Sequence, residues 1–97
     1  MTRYVVLLSF TEKGLYAVGD SVARSVEFRA AAKSAGAEVE ALYWTLGSYD
    51  GVLVLRAPDE LTAAALTLAL GRSGNVRTCM LRALDAKEFE AVVSKVH

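Results

Sequence analysis

Near the middle of the chain the sequence reads Tyr43-Trp44-Thr45-Leu46-Gly47-Ser48-Tyr49-Asp50-Gly51-Val52-Leu53-Val54-Leu55. Apolar residues lie on both sides of Gly47-Ser48, and Gly and Ser are residues that tight turns favour. Two aromatic side chains precede the turn, and a Tyr-Asp pair follows it. The pattern predicts a strand, a tight turn and a second strand.

Four strands are predicted along the chain, and they are of two kinds. Residues 3–10 and 52–57 are apolar at nearly every position, as in strands that are covered on both faces. Residues 37–46 begin with two glutamates that alternate with apolar residues, as in a half-exposed edge strand. Residues 76–84 form the fourth strand, with two arginines interrupting its apolar pattern. We therefore expect the first and third strands to be central.

Two helices are predicted between these strands. The first begins at Asp20 or Ser21, either of which can cap a helix, and ends near residue 35 before Gly36. The second covers residues 61–70, is made almost wholly of Leu, Ala and Thr, and follows the N-cap residue Asp59.

A third helix is predicted at the C-terminus. Asp85 and Glu88 form a capping box, and the apolar residues that follow recur at helical spacing. Residues 11–14 are polar with a glycine and predict a turn, whereas residues 15–19 allow either a short helical turn or a loop.

The order strand, helix, strand, strand, helix, strand predicts an α+β ferredoxin-like βαββαβ fold with an additional C-terminal helix, as one domain over residues 1–97. Right-handed crossovers place both main helices on one face of the four-stranded antiparallel sheet. The other face is left open, and it carries either Val5 and Leu7 or the alternate set Tyr4, Val6 and Leu8. Because soluble monomers rarely expose so large an apolar face, we predict a homodimer that packs sheet against sheet.

The central stretch resembles the signature of the GYD domain family, with Gly47, Tyr49 and Asp50 standing as Gly, Tyr and Asp and Ser48 intervening. Further matching segments follow the first strand, follow the third strand and open the fourth: Phe10-Thr11 with Gly14, Ala57-Pro58-Asp59, and Gly74-Asn75-Val76-Arg77-Thr78. The resemblance covers essentially the whole chain. It implies a ferredoxin-like fold of the dimeric α+β-barrel kind, and it implies no particular reaction.

Composition limits the class of function. The 97 residues include 11 basic and 11 acidic side chains, so the chain lacks the basic surface that nucleic-acid binding requires. No apolar run reaches the roughly 20 residues of a membrane span, and the N-terminus does not read as a signal peptide. The lone Cys79 is expected in the core and fits a reducing, cytoplasmic location.

The candidate site surrounds Asp50. In a functional interpretation, Tyr43, Thr45, Tyr49 and Asp50 line the polar end of a cavity between sheet and helices, with Asp50 as the best candidate for a general base. In a structural interpretation, which turn chemistry favours, the Asp50 carboxylate accepts hydrogen bonds from backbone N–H groups and fixes the hairpin. The two interpretations are compatible. Arg82, in the fourth strand, is a further candidate, for an anionic ligand.

Metal and cofactor chemistry is not expected. The only histidine is His97, the last residue, so the chain offers no internal imidazole as a metal or haem ligand or as a partner for a nucleophile. Three functions remain open at this stage. The first is binding of an apolar or aromatic small molecule beside the sheet, the second is a cofactor-free barrel monooxygenase or isomerase, and the third is an assembly protein without a ligand.

Overall fold

The computed structural model describes the whole chain, residues 1–97. The strands are β1 (Thr2–Phe10), β2 (Glu38–Trp44), β3 (Gly51–Ala57) and β4 (Val76–Ala83). The helices are α1 (Glu12–Tyr16), α2 (Ser21–Ser34), α3 (Glu60–Arg72) and α4 (Ala86–Val93), with a 3-10 turn at Val18–Asp20. The ferredoxin-like order of elements and the additional terminal helix are confirmed.

The sheet has the order β2-β3-β1-β4 and is antiparallel throughout. The two continuously apolar strands, β1 and β3, are therefore central, as predicted, and the alternating strand β2 is an edge. A β-bulge between Val39 and Ala41 shifts the register of β2 against β3. Beyond the bulge Leu42 pairs with Leu53, Tyr43 with Val52 and Trp44 with Gly51, and these pairings determine which aromatic side chain faces the helices.

The hydrophobic core lies between one face of the sheet and helices α2 and α3. Alternate residues of the central strands point into it, and Tyr4, Val6, Leu53 and Leu55 are each at most 1% exposed. Complete burial of such an aliphatic side chain stabilises the fold by about 1.5–3 kcal/mol. Helices α2 and α3 add Phe28, Ala32, Ala63 and Leu66, and the sheet side adds Ala37, just before β2, Val39 and Ala57. Of the two alternate sets in β1, the one that begins at Tyr4 therefore faces the helices.

The predicted caps of α3 and α4 and the predicted end of α2 are confirmed, whereas Asp20 precedes α2 without a capping side-chain hydrogen bond. Asp59 caps α3 by accepting from the Thr62 N–H at 2.7 Å, and Asp85 and Glu88 form both bonds of the capping box at α4. Gly36 ends α2 with a φ of +79°, a conformation that L side chains rarely adopt. These signals are local, so a few residues of sequence are enough to identify them.

The segment after β1 is helical, so the predicted turn over residues 11–14 is wrong. Thr11 caps α1 by accepting from the Gly14 N–H at 3.1 Å. The backbone of Gly14 lies against Asn75, where a Cβ atom would stand 1.8 Å from the Asn75 carbonyl oxygen. A helix of five residues is too short to show an apolar period, which is why the sequence pattern did not indicate it.

The outer face of the sheet, opposite the helices, is apolar and open. Its central side chains, Val5, Leu7, Val52 and Val54, are half-buried by their neighbours within the sheet. On edge strand β4, Leu81 is 46% exposed and Cys79 is exposed as well. The expectation that Cys79 lies in the core is wrong, because its register opposite Leu7 places it on the outer face.

Candidate functional site

Asp50 joins two strands at one end of the sheet. Its carboxylate oxygen Oδ2 accepts from the Phe10 N–H at 2.7 Å, and its own N–H donates to the Leu8 carbonyl at 2.8 Å. The Asp50 carbonyl accepts from the Thr45 N–H at 2.9 Å. The Asp50 carboxylate therefore accepts a backbone N–H, as in the structural interpretation. The N–H belongs to the end of β1, however, and not to the turn that Asp50 follows.

Thr45 and Tyr49 close the turn between β2 and β3. The Thr45 hydroxyl donates to the Tyr49 carbonyl at 2.6 Å, which ties the two sides of the loop together. Gly47 lies between them with a φ of +135°, a region that only glycine occupies easily. The Tyr49 ring is 43% exposed. Neither side chain lines the cavity beside Asp50, so the structure separates them from the proposed polar end.

A cavity of about 70 Å³ lies between this end of the sheet and the helices. At about 30 Å³ per water molecule it has room for roughly two waters. Its apolar walls come from both layers and include Leu8, Phe10, Phe28, Leu42, Leu53, Leu70 and Val76. Of the residues predicted for the site, Asp50 and Tyr43 contribute to the lining. Tyr43 pairs with Val52 in the register, which places its ring on the outer face, where it is 65% exposed.

Trp44 and Arg24 line the same cavity, and sequence reasoning did not select either as a site residue. Trp44 pairs with Gly51, a buried residue on the helix-facing side, and is 47% exposed. Arg24 donates from Nη1 to the Ala17 carbonyl at 3.1 Å, whereas its Nη2 is buried without a hydrogen-bond partner. The sequence could have indicated Arg24, because it lies one helical turn before the apolar Phe28 and therefore on the same side of the helix.

Arg82 lies at the opposite end of the sheet from Asp50. Its register partner is Tyr4, and its guanidinium group stands 5.8 Å from the centre of the Tyr4 ring. It also forms an ion pair with Glu88 at 3.0 Å. The Asp85 backbone N–H and the Arg82 side chain both donate to the Glu88 carboxylate and hold its pKa below the usual range. The structure therefore places Arg82 where it fixes the start of α4, away from the cavity.

Helix α1 is attached to the segment before β4 by three hydrogen bonds. The Thr11 N–H donates to the Asn75 carbonyl at 3.1 Å, and the Thr11 hydroxyl donates to the Gly74 carbonyl at 2.6 Å. Lys13 donates from Nζ to the Ser73 carbonyl at 3.1 Å. With Gly14 packed on Asn75, the resembling segments that follow β1 and open β4 meet at the Asp50 end of the sheet, whereas Ala57-Pro58-Asp59 lies at the opposite end of β3.

The sequence profile described as GYD domain matches residues 4–93. This chain belongs to the GYD domain family. A relative from Thermus thermophilus is 32% identical over 92 residues, which cover 94% of this chain and 97% of the relative. It is described as a glutamine synthetase and cystathionine beta-lyase binding protein. No solved structure matches the chain at a significant level. The resemblance that the Gly47, Tyr49 and Asp50 positions indicated is thus confirmed.

Two other kinds of site have no counterpart in this GYD domain. No three side chains of His, Cys, Asp or Glu come together in a group that could hold a metal ion. None of the helices combines the length and the apolar content needed to cross a bilayer.

Proposed function

We propose that this GYD domain is a protein-binding module that docks on a metabolic enzyme. The Thermus thermophilus relative is described by the two enzymes it binds, and it aligns with this chain over nearly its full length. The proposal extends to this chain the kind of partner that the relative's description gives, a folded enzyme of amino-acid metabolism.

The observation that carries the proposal is the amount of accessible surface. The chain exposes 6620 Å², whereas a folded monomer of 10.4 kDa is expected to expose about 5,400 Å². Only 14 of the 97 residues are buried. The surplus, about 1,200 Å², exceeds the roughly 800 Å² that each partner buries in a standard protein interface. This surplus is enough for one interface of that size, so an enzyme and a second copy together also use surface that an ordinary monomer exposes.

The surface that we assign to the enzyme is a groove between α2 and α3. It has a volume of about 220 Å³, an apolar floor that includes Phe28, Leu66 and Leu70, and small exposed residues, Ala31 and Ala69, at its sides. Outside the groove lining, other large apolar side chains of α2 and α3 are also more than 60% exposed, namely Val22, Val26, Leu61 and Leu68. The two charged side chains that line the groove, Arg24 and Glu27, have opposite signs, which favours a partner patch that is mainly apolar.

The outer face of the sheet remains for a second copy of the chain. It lies on the side opposite α2 and α3, so a homodimer formed through it leaves the groove free. Val5, Leu7, Val52 and Val54 supply its apolar centre. Arg3 and Glu40 form an ion pair across the sheet at 2.7 Å, as do Arg56 and Glu38 at 3.6 Å, so their charges are paired within one copy. Isologous packing of this face is the simplest way to cover it.

The cavity beside Asp50 argues against a small-molecule function for this conformation. Ligand pockets usually measure about 300–1,000 Å³, and this cavity measures about 70 Å³. One oxygen of the Asp50 carboxylate is already engaged by the Phe10 N–H. A role for Asp50 as general base, and the binding of an apolar ligand, stay predictions that require the cavity to widen.

Biolayer interferometry with purified glutamine synthetase and cystathionine beta-lyase from the organism that encodes this chain tests the proposal. We expect at least one enzyme to bind with a micromolar or lower dissociation constant. Ala31→Glu, which puts a carboxylate at the side of the groove, should weaken that binding at least tenfold.

Ala30→Glu is the matched control, because Ala30 is an exposed alanine of the same helix that does not line the groove. It adds the same charge and the same helix propensity, and it should leave binding within about twofold of the unmodified chain. Absence of binding to both enzymes would overturn the proposed function. Equal binding by the two variants would overturn the assignment of the groove.

A further inference from the structure

Helix α4 presents an apolar stripe that its own chain leaves about half exposed. Phe89, Val92 and Val93 of the helix are 56%, 44% and 53% exposed, and Val96, which continues the spacing just beyond the helix, is 71% exposed. No residue of the helix is buried. Helices shorter than about 12–15 residues are marginal in water on their own, and most of their stability in proteins comes from packing an apolar face. This eight-residue helix therefore lacks the contact that usually stabilises such an element.

The start of α4 is nevertheless held firmly by the rest of the chain. The Asp85 carboxylate accepts from the Glu88 N–H at 2.8 Å, and the Glu88 carboxylate accepts from the Asp85 N–H at 3.1 Å. Glu88 also pairs with Arg82, which stands against the ring of buried Tyr4. These contacts use the polar side of the helix. They fix its position and leave the apolar stripe turned away from its own core.

A second copy of the chain offers the surface that the stripe lacks. On the outer sheet face, edge strand β4 exposes Cys79 and Leu81, and α4 follows directly after this strand. The opposite edge of this face, strand β2, carries the tyrosine ring of Tyr43. Each copy thus carries one uncovered apolar helix and one uncovered apolar strand edge. In an isologous pair the helix of each copy covers the strand edge of the other, because a two-fold axis makes the contacts reciprocal.

The area and the charge of the chain are compatible with this pairing. The surplus of about 1,200 Å² per chain exceeds the roughly 800 Å² per partner of a standard interface. The formal net charge is zero, so two copies do not repel each other at long range.

We propose that α4 of each copy packs its apolar stripe on the outer sheet face of a second copy, against strand β4. The inference rests on the homodimer in the proposed function and specifies which element completes it. The occupant of this face is a second copy of this chain.

Sedimentation velocity over a range of protein concentrations tests the inference with a matched pair of variants. Val93→Glu places a charge in the stripe, whereas Ala91→Glu places the same charge on the opposite side of the helix. We expect the unmodified chain and Ala91→Glu to be dimers at micromolar concentration. Val93→Glu should raise the dimer dissociation constant at least tenfold. Equal dissociation constants for the two variants, or a monomeric unmodified chain, would overturn the inference.

Photo-crosslinking gives a second readout that does not depend on a destabilising change. p-Benzoylphenylalanine in place of Phe89 is a close structural substitute, and mixing ¹⁵N-labelled with unlabelled copies distinguishes crosslinks between chains from those within one chain. We expect mixed-label crosslinks to peptides that contain residues 76–83. Crosslinks confined to one chain, or crosslinks between chains that reach only α2 and α3, would overturn the inference.

The two proposals can fail separately. If the Val93→Glu variant dissociates and the unmodified chain binds neither enzyme, the proposed enzyme docking is wrong and the role of α4 stands. If the enzyme binds and Val93→Glu remains as dimeric as Ala91→Glu, the reverse holds.

Discussion

The Asp50 carboxylate accepts a hydrogen bond from the Phe10 N–H at 2.7 Å, so a residue that leaves the β2–β3 turn fixes the last residue of strand β1. The Asp50 N–H donates to the Leu8 carbonyl, which makes the connection two-sided. Phe10 is also the point from which the chain turns into α1. The residue that looked most like a candidate catalytic base therefore has a structural task, and this task accounts for an Asp at the end of the signature.

Replacing Asp50 by alanine should lower the free energy of unfolding by about 1.5–3 kcal/mol. The change removes the charged acceptor and leaves the part-buried Phe10 N–H without its partner. Asp50→Asn keeps an acceptor and should lower it by about half as much. Urea unfolding followed by circular dichroism measures both values. Asp20→Asn is the control, since the Asp20 side chain makes no capping bond. If Asp50→Ala unfolds at the same urea concentration as the control, the connection to Phe10 does not stabilise the fold.

Gly14 should not tolerate a methyl group. A Cβ atom at this position would stand 1.8 Å from the Asn75 carbonyl oxygen, so backbone on both sides has to move. We expect Gly14→Ala to cost more than about 2 kcal/mol of stability, in the range of overpacked sites. Gly19→Ala is the matched control because nothing lies within 4 Å of its added Cβ. Thermal unfolding of the pair measures the difference, and equal midpoints would show that α1 does not dock closely on Asn75.

The elements that the sequence predicted correctly are those with local signals. Apolar runs identified the central strands, and Asp59 and Asp85 identified helix starts, because a cap needs only its neighbouring residues. The candidate site was harder to predict because it depends on contacts between distant segments. Asp50 reaches Phe10 across 40 residues. The lining by Trp44 and Arg24 depends on the packing of α2 over β2, which no local pattern encodes.

Cys79 shows a different limit. Alternate residues of β4 point to opposite faces, and the apolar pattern does not say which set points inward. The two arginines do not help, because Arg77 and Arg82 fall on opposite faces of the strand. Sequence alone therefore did not establish which alternate residues point inward. The pairing of Val6 with Met80 settles it by placing Met80 toward the helices and Cys79 outward.

Acid should weaken the cap of α3. The Thr62 backbone N–H and side chain donate to the Asp59 carboxylate and lower its pKa. A group whose pKa is lower in the folded chain adds stability above its unfolded pKa, about 3.9 for Asp, and this stability is lost as the pH falls through the folded pKa. Asp59→Asn keeps a capping side chain without the charge. It should therefore show a smaller fall in the urea midpoint between neutral pH and strongly acidic pH.

Glu60→Gln is the control for the fall in urea midpoint at acidic pH, because it removes a neighbouring charge from the same helical turn without removing the cap. Its urea midpoint should fall with pH as that of the unmodified chain does. If the urea midpoint of Asp59→Asn falls at acidic pH as much as that of the unmodified chain, the Asp59 cap does not contribute to acid unfolding.

The reactivity of Cys79 should report whether the outer sheet face is covered. Cys79 is the only cysteine and is exposed in the single chain, opposite Leu7 on that face. If a second copy packs there, the rate of its reaction with a disulfide reagent such as DTNB should fall as the protein concentration rises from nanomolar to micromolar. Val54→Glu, which puts a charge at the centre of the face, should restore a fast rate at every concentration. Lys95→Glu, at an exposed position beyond the sheet, should retain the concentration dependence. A rate for the unmodified chain that is fast and constant across this range would show that the face stays open in solution, and the homodimer would have to be abandoned.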